Sequence, residues 1–168
     1  MTAPIQPFLP GVVSCGWVEV RDGNDTVRAL FDQHYSRYRY ADGRKPLLFV
    51  GPGEKLVLLW SDARAVFVWR KFRSAAQQAG VNCAVFRNDG AGRASDLIRS
   101  ADAIAWQRWP GARLYTYVNP RRVEHKRQPG RCFLKAGWRY VLDAEGKPAL
   151  TKVRRYLILE IRPEWDSD

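Results

Sequence analysis

Residues 82–109 read NCAVFRNDGAGRASDLIRSADAIAWQRW, and this stretch decides the fold. The apolar run at residues 82–86 is typical of a buried strand. A loop with two glycines follows, and Pro110-Gly111 ends the helical pattern beyond it. The apolar residues of that pattern are Leu97, Ile98, Ala101, Ile104 and Ala105. We therefore predict a strand, a glycine loop and a helix capped by Ser95.

The residues before this unit predict a strand, a helix and an antiparallel meander. The first strand is expected at residues 12–20. Asn24 or Asp25 can cap the helix, in which apolar residues and a histidine recur on one face: Val27, Leu30, Phe31 and His34. Three short apolar runs separated by turn signals then predict the strands of the meander, at residues 47–50, 56–60 and 65–69.

The residues after the unit predict a mixture of strands and one short helix. A strand is expected at residues 113–118 and a helix at residues 131–136, closed by Gly137. Residues 139–142 and 156–161 are expected to pair as a terminal hairpin. Because strands and helices do not alternate regularly, the expected class is α+β, a mixed α/β sandwich and not a doubly wound sheet.

Length and composition exclude several classes of protein. The chain has 168 residues, of which 46% are hydrophobic and 27% charged, so it can bury a core and is not a disordered protein. We expect one domain over residues 1–168, with residues 1–11 as a loosely ordered N-terminal segment. No run approaches the roughly 18 apolar residues that a membrane helix needs, and the start lacks the features of a signal peptide.

Cysteine usage and charge indicate the compartment and the kind of partner. The three cysteines include no CxxC pair and only two histidines are present, so we expect no structural metal site and reduced thiols in a cytoplasm. Lys and Arg number 28 against 17 acidic residues, which gives a net charge of +11. This excess favours a polyanionic partner through counterion release, although general solubility would also account for it.

The glycine loop could approach a phosphate. Glycine lets the backbone come close to a ligand, and the N–H groups of the following helix attract anions. An ordinary strand-to-helix turn would carry the same glycines. The loop resembles the coenzyme A signature of the GNAT acyltransferase superfamily, in which Gln or Arg precedes x-x-Gly-x-Gly or Ala. The resemblance implies acetyl-CoA or a related small acyl donor as cofactor, bound by the loop and helix start: Arg87, Asn88, Gly90, Gly92 and Ser95.

A second motif supports this resemblance and departs from it at one position. GNAT proteins carry a Tyr-x-x-x-Gly-Phe-like pattern after the next strand, and this chain has FLKAGW at residues 133–138. The resemblance implies a central twisted, mostly antiparallel sheet flanked by helices. The tyrosine that often protonates the leaving thiolate is replaced by Phe133, which cannot transfer a proton. Tyr117, Tyr115 or Cys132 would have to substitute for it.

A third set of motifs is similar to the Mom family of phage proteins, which are GNAT-like enzymes. The motifs are the tripeptide His34-Tyr35-Ser36, the dipeptide Arg87-Asn88 and the strand end Tyr117-x-Asn119-Pro120. Mom proteins attach a carbamoylmethyl group to N6 of adenine in DNA and protect phage genomes from restriction. The resemblance implies that this chain does the same, with a catalytic site at His34, Tyr35, Ser36, Tyr117 and Asn119.

The chemistry of these side chains is compatible with catalysis and also with structural roles. His34 can act as a base near neutral pH, or it can be an ordinary residue on the apolar face of its helix. Tyr35 can stack on a base that has left the DNA stack or donate a proton, and Ser36 can orient either group. Asn119 can hold a polar group of the substrate or form a turn. Cys132 is expected to be buried and not nucleophilic.

Two basic segments are candidates for DNA contact. Cationic residues beside aromatic ones suit backbone tracking with base stacking, whereas a charge run can also be simple solvated surface. The candidates in the first segment are Arg37, Tyr38, Arg39, Tyr40, Arg44 and Lys45, and those in the second are Arg121, Arg122, Lys126 and Arg127.

Three functions therefore remain open from the sequence. The first is a DNA-modifying transferase with double-stranded DNA as partner. The second is a conventional acetyl-CoA-dependent N-acetyltransferase acting on an amine of a protein, RNA or small molecule. The third is a DNA-binding accessory protein without catalysis. The sequence leaves open the transferred group, assistance by a metal, and the oligomeric state, a homodimer included.

Overall fold

The computed structural model describes residues 13–14, 16–34, 41–43, 48, 50–72, 78–123 and 127–165. Within them, eight strands form one sheet in the order β1-β2-β3-β4-β5-β6-β8-β7. The strands are β1 Val13–Ser14, β2 Trp17–Val20, β3 Glu54–Trp60, β4 Ala65–Lys71, β5 Val81–Asn88, β6 Leu114–Val118, β7 Arg139–Tyr140 and β8 Leu157–Ile161. The α-helices are α1 Asp25–Asp32, α2 Ala94–Arg108 and α3 Arg131–Lys135, and 3-10 turns lie at Pro120–Arg122 and Pro163–Trp165.

The sheet is antiparallel except at one described pair of strands. β5 and β6 run parallel, because α2 carries the chain from the end of one strand back to the start of the other. The last strand, β8, then lies between β6 and β7 and is antiparallel to both. The predicted α+β class and the predicted terminal hairpin are confirmed.

Helices cover both faces of the sheet. Alternate residues of a strand point to opposite faces, so Leu56 and Leu58 of β3 join a core cluster with α2 and α3, whereas Val57 between them packs with α1. β4 alternates in the same way, with Phe67 and Trp69 in the first cluster and its valines in the second. Both faces of the central strands are therefore buried.

Three tryptophan side chains donate hydrogen bonds to α2. The indole nitrogens of Trp17 and Trp69 donate to backbone carbonyls of α2, at 3.2 Å in each case. The indole of Trp138 donates to the buried carboxylate of Asp102 on the same helix at 2.9 Å. A buried indole N–H without an acceptor would cost free energy. The helix must therefore keep the orientation and the packing depth at which these hydrogen bonds form.

Helix boundaries agree with the predictions at one cap and not at another. Asn24 caps α1, and its side chain accepts from the N–H groups of Thr26 and Val27, as predicted. Ser95 does not cap α2: the N-cap is Arg93, and Ser95 is a buried residue within the first turn. The prediction was wrong because the glycine loop enters the helix two residues earlier than the capping preference of serine indicates.

Two predicted strands also differ from the structure. The strand expected at residues 12–20 is a hairpin of β1 and β2, because Gly16 takes a φ of +93° and turns the chain. The predicted strand at residues 47–50 is wrong for the residues that the structure describes, because neither Leu48 nor Val50 is in a strand. β2 pairs with the edge of β3 instead. Val50 donates its N–H to the carboxylate of Asp22.

Among the described residues, no helix is both long enough and apolar enough to cross a membrane.

Candidate functional site

A cavity opens where the two parallel strands separate. β5 and β6 pair at only three positions, the last being Cys83 with Thr116, although β5 continues to Asn88 and β6 to Val118. The diverging ends border a cavity of about 710 Å³, which we call the splay cavity. Beyond Cys83 no described strand pairs with β5 on this side, and the Phe86 backbone forms a hydrogen bond with His34 instead.

A β-bulge lies at the point of divergence. Val68 pairs with Val85 and Trp69 pairs with Cys83, so Ala84 is an extra residue in β5. A bulge bends its strand and interrupts the ladder. Ala84 lines the splay cavity, so the bend of β5 helps to separate it from β6.

His34 lines this cavity from the end of α1. Its pKa is lowered to about 4, first by burial and then by the nearby charge of Arg87, against a hydrogen bond with the Phe86 backbone that raises it. The imidazole is therefore neutral at neutral pH. The predicted role of a base that titrates near neutrality needs correction, because a group with this pKa orients an amine through a hydrogen bond better than it takes its proton.

This shift predicts how stability depends on pH. The unfolded chain binds a proton at His34 near pH 6.5 and the folded chain only near pH 4, so the contribution of His34 is complete above about pH 6.5 and is lost as the pH falls toward 4. We expect wild type to lose about 2–3 kcal/mol more than His34→Gln over this window. Urea unfolding at several pH values measures the difference, and parallel curves for the two proteins would contradict it.

Tyr117 and Asn119 lie on the other wall of the splay cavity. Burial raises the pKa of the Tyr117 phenol, so it stays protonated and can donate a proton. The side chain of Asn119 accepts from the N–H of Arg121 at 3.1 Å and caps the turn at Pro120–Arg122. Asn119 thus has the structural role that the sequence allowed, at a position that also borders the cavity.

Phe133 and Cys132 also line the splay cavity. Phe133 is buried and contacts Phe86 and Trp138 edge to face, with ring centroids 6.0 and 4.8 Å apart. It leaves no phenol at this position. Cys132 is partly buried, where the sequence predicted a buried residue. Burial still raises the pKa of its thiol, so the thiol is protonated at neutral pH and a weak nucleophile.

A second cavity of about 870 Å³ lies between the start of α2 and α3. Five cationic residues line it, and we call it the basic groove: Arg93, Arg99, Arg127, Arg131 and Lys135. Gly130 and Cys132 line both this groove and the splay cavity. A ligand could therefore extend from the groove into the space between the strands, with its negative groups on the cations and the first turn of α2.

The glycine loop is shaped by Asn88. Its side chain accepts from the N–H groups of Gly90 and Ala91, and its amide donates to the carbonyl of Gly92 at 2.8 Å. Gly90 has a φ of +90°, which favours glycine. At Gly92 a Cβ atom would meet nothing within 4 Å, so the fold itself does not require glycine there. A role for Gly92 in ligand approach stays a prediction.

Arg87 contacts α1 and the loop. Its guanidinium donates to the carbonyl and side chain of Gln33 and pairs with Asp89 at 3.0 Å. It borders neither cavity, whereas Ser95 lines the basic groove. Of the five predicted cofactor residues, the structure thus brings Ser95 to a cavity, places Arg87 and Asn88 at the end of β5, and places Gly90 and Gly92 in the loop that follows.

Other predicted residues fall outside the part of the chain that the structure describes. They are Tyr35, Ser36, Arg37, Tyr38, Arg39, Tyr40, Arg44, Lys45 and Lys126. Of the second basic segment, Arg122 lines the splay cavity, Arg127 lines the basic groove and Arg121 is exposed beside them.

Several residues of the two cavities were not predicted. Arg93, Arg99 and Lys135 come from α2 and α3, and no local pattern joins residues that are far apart in the chain. Arg154 and Tyr156 reach the splay cavity from the segment before β8. Asn82 also borders it, and its buried side-chain oxygen accepts no hydrogen bond from the described residues.

Comparison of the chain with protein-family models, with curated proteins and with solved structures returns no match. Within the described residues, no three His, Cys, Asp or Glu side chains are grouped so that they could hold a metal ion.

Proposed function

We propose that the protein is a GNAT-like transferase that adds a small acyl-derived group, carbamoylmethyl-like, to N6 of adenine in double-stranded DNA and so protects it from restriction. The observation that carries this proposal is that the two cavities are neighbours, with Gly130 and Cys132 lining both. The basic groove suits a phosphate-bearing donor, and the splay cavity suits an acceptor amine.

The basic groove supports the donor side. Coenzyme A carries several phosphate charges on a long arm that ends in a thiol. Guanidinium groups bind phosphate through two parallel hydrogen bonds. Arg93 and Arg131 lie at the starts of α2 and α3, and Arg99 beside them donates to Asp96 and to the carbonyl of Lys135. The divergence of β5 from β6 is also what the GNAT resemblance implies. An arm that starts in the groove would reach the acceptor past Cys132.

The splay cavity supports the acceptor side. A base must leave the DNA stack before its exocyclic amine can react, and an enzyme must then hold it in a pocket. Tyr117 and Tyr156 offer aromatic walls, and Arg122 and Arg154 stand among the lining residues as exposed cations that suit DNA phosphates. The net charge of +11 favours the same partner.

The chain's own groups then have separate tasks. His34, neutral and partly buried, accepts a hydrogen bond from the amine and orients it toward the donor. The backbone of β5 beyond Cys83, which no described strand pairs on the β6 side, can hold the oxygen of the transferred group at positions other than Phe86. Tyr117 keeps its proton at neutral pH and can give it to the leaving group, and the tyrosinate so formed takes up the proton that the amine loses as its new bond forms.

The same tyrosine supports a second candidate, a conventional acetyl-CoA-dependent N-acetyltransferase. The sequence objection to that activity is the absence of an acid at Phe133. Tyr117 borders the same cavity with a protonated phenol, so it could supply the missing proton to a leaving thiolate. The two candidates differ in the acceptor amine.

The test is mass spectrometry of nucleosides from plasmid DNA recovered from bacteria that express the protein. Wild type is compared with the double variant His34→Ala/Tyr35→Phe, and with Lys147→Ala as a control on an exposed turn away from both cavities. We expect a heavier deoxyadenosine with wild type and the control, and at least about a 100-fold loss with the double variant.

The results of this experiment distinguish the two candidate functions. The mass of the new nucleoside identifies the transferred group. Unmodified DNA in the presence of well-expressed wild type would overturn the proposal for that host. Acetyl-CoA turnover with a protein, RNA or small-molecule amine, abolished by Tyr117→Phe, would then establish the second candidate.

A further inference from the structure

The six residues 151–156, between two bridged positions, form a loop held by its own hydrogen bonds. Leu150 and Leu157 bridge at its base. The N–H of Thr151 donates to the carbonyl of Tyr156, and the N–H of Tyr156 donates to the hydroxyl of Thr151, both at 2.9 Å. Arg155 has a left-handed φ of +57° and donates its N–H to the carbonyl of Thr151. These bonds give the loop a defined shape.

The tip of this loop presents a valine to solvent. Val153 is 92% exposed, and its neighbours Lys152, Arg154 and Arg155 are exposed cations. A single exposed apolar residue is ordinary. An aliphatic side chain at the tip of a shaped loop, surrounded by positive charge, is a less common combination. Valine is also stiff, because its branched Cβ restricts the side chain to few rotamers.

The loop stands beside the splay cavity. Arg154 and Tyr156 line that cavity. The guanidinium of Arg121 donates to the carbonyl of Arg154 at 3.0 Å, which ties the loop to the turn at Pro120–Arg122. The turn is fixed in its own place by Asn119. Val153 is therefore held at a set position near the cavity mouth.

We infer that this loop opens duplex DNA, with Val153 as the wedge that fills the gap left when a base enters the splay cavity. The inference rests on the proposed function and adds a partner-contacting element to it. A base that leaves the stack exposes its neighbours to water, and an apolar side chain inserted at that step compensates for the lost stacking. Lys152, Arg154 and Arg155 would bind the phosphates on either side of the opened step.

A wedge at Val153 predicts a difference between duplex and single-stranded DNA that phosphate contacts alone do not predict. A single strand has no paired stack to open, so Val153 should matter for duplex DNA and not for single strands. The neighbouring cations Lys152, Arg154 and Arg155 should contribute to the binding of both duplex and single-stranded DNA. Loss of the valine side chain should therefore reduce base extrusion without reducing duplex affinity.

The test uses the fluorescence of 2-aminopurine, which rises when the base leaves the stack, and it requires no chemistry. The probe is a pool of duplexes of varied sequence in which 2-aminopurine replaces some adenines. We expect wild type to raise the fluorescence, Val153→Ser to reduce this rise about tenfold and Val153→Leu to preserve it. Leu142→Ser, an exposed leucine that lines neither cavity, is the matched control and should behave as wild type.

Affinity for the duplex, measured by anisotropy, should stay within about twofold of wild type in all three variants. An equal fluorescence rise with Val153→Ser, or no rise with wild type that binds the duplex, would overturn the wedge. If the wild-type fluorescence rise depends on Val153 but plasmid DNA stays unmodified, the wedge is supported and the proposed transferase activity is contradicted.

Discussion

Trp69→Ala is expected to lower the free energy of unfolding by about 3–5 kcal/mol, the largest effect on stability that we expect from one substitution. Trp69 is completely buried. Its ring lies 4.6 Å from that of Phe67 and stacks on Trp138 at 6.3 Å, and its indole donates to the carbonyl of Ala101. Truncation would leave a cavity between α2 and the sheet and remove one of the three indoles that donate to the helix.

Trp165→Ala is the control for this prediction. Trp165 is only half-buried, and the guanidinium of Arg139 lies 4.3 Å from its ring centroid. We expect a loss of about 1 kcal/mol there. Urea unfolding followed by circular dichroism measures both variants, and Trp69→Phe serves if the alanine variant does not fold. Equal losses at the two tryptophans would contradict the packing described for α2.

Removal of three cations from the basic groove is expected to weaken coenzyme A binding about 100-fold. The variant replaces Arg93, Arg131 and Lys135 with glutamine, which leaves Arg99 and Arg127 in place. All three are exposed residues of the groove, so their loss should not disturb the core. Isothermal titration calorimetry at physiological salt measures the affinity.

A second triple variant separates local contacts from net charge. Arg108, Lys147 and Arg162 are exposed and line neither cavity, and glutamine at these positions removes the same total charge. We expect at most about a threefold loss, because salt screens charges that lie far from the ligand. Equal losses in the two triples, or no binding by wild type, would contradict the assignment of the groove to a coenzyme A donor.

Local signals predicted the unit that borders both cavities. The strand, loop and helix of residues 82–109 were placed to within a few residues, because periodicity and turn chemistry act between near neighbours. Gly90 and Gly137 take the positive φ values that their positions require. Ser95 was misplaced by the same reasoning, since it is the second residue of α2 and not its N-cap.

The prediction of candidate residues was less complete, for two reasons. His34, Tyr117 and Asn119 do meet at the splay cavity, but only burial in the folded chain lowers the pKa of His34 to about 4. The charges of the basic groove were largely missed. Charge runs are visible in a sequence, whereas cations spread over two helices become a cluster only when the helices pack.

The sequence by itself determined the α+β class, most of the strands and helices, a cap of α1 at Asn24 or Asp25 and the positive charge, because each depends on neighbours in the chain or on composition. Only the tertiary structure decided that β2 takes the edge of β3 and that β5 bulges at Ala84 and leaves β6. It alone also brought residues 151–156 beside Arg121. These features depend on register and packing between distant segments, whose free energy comes from contacts that no local pattern records.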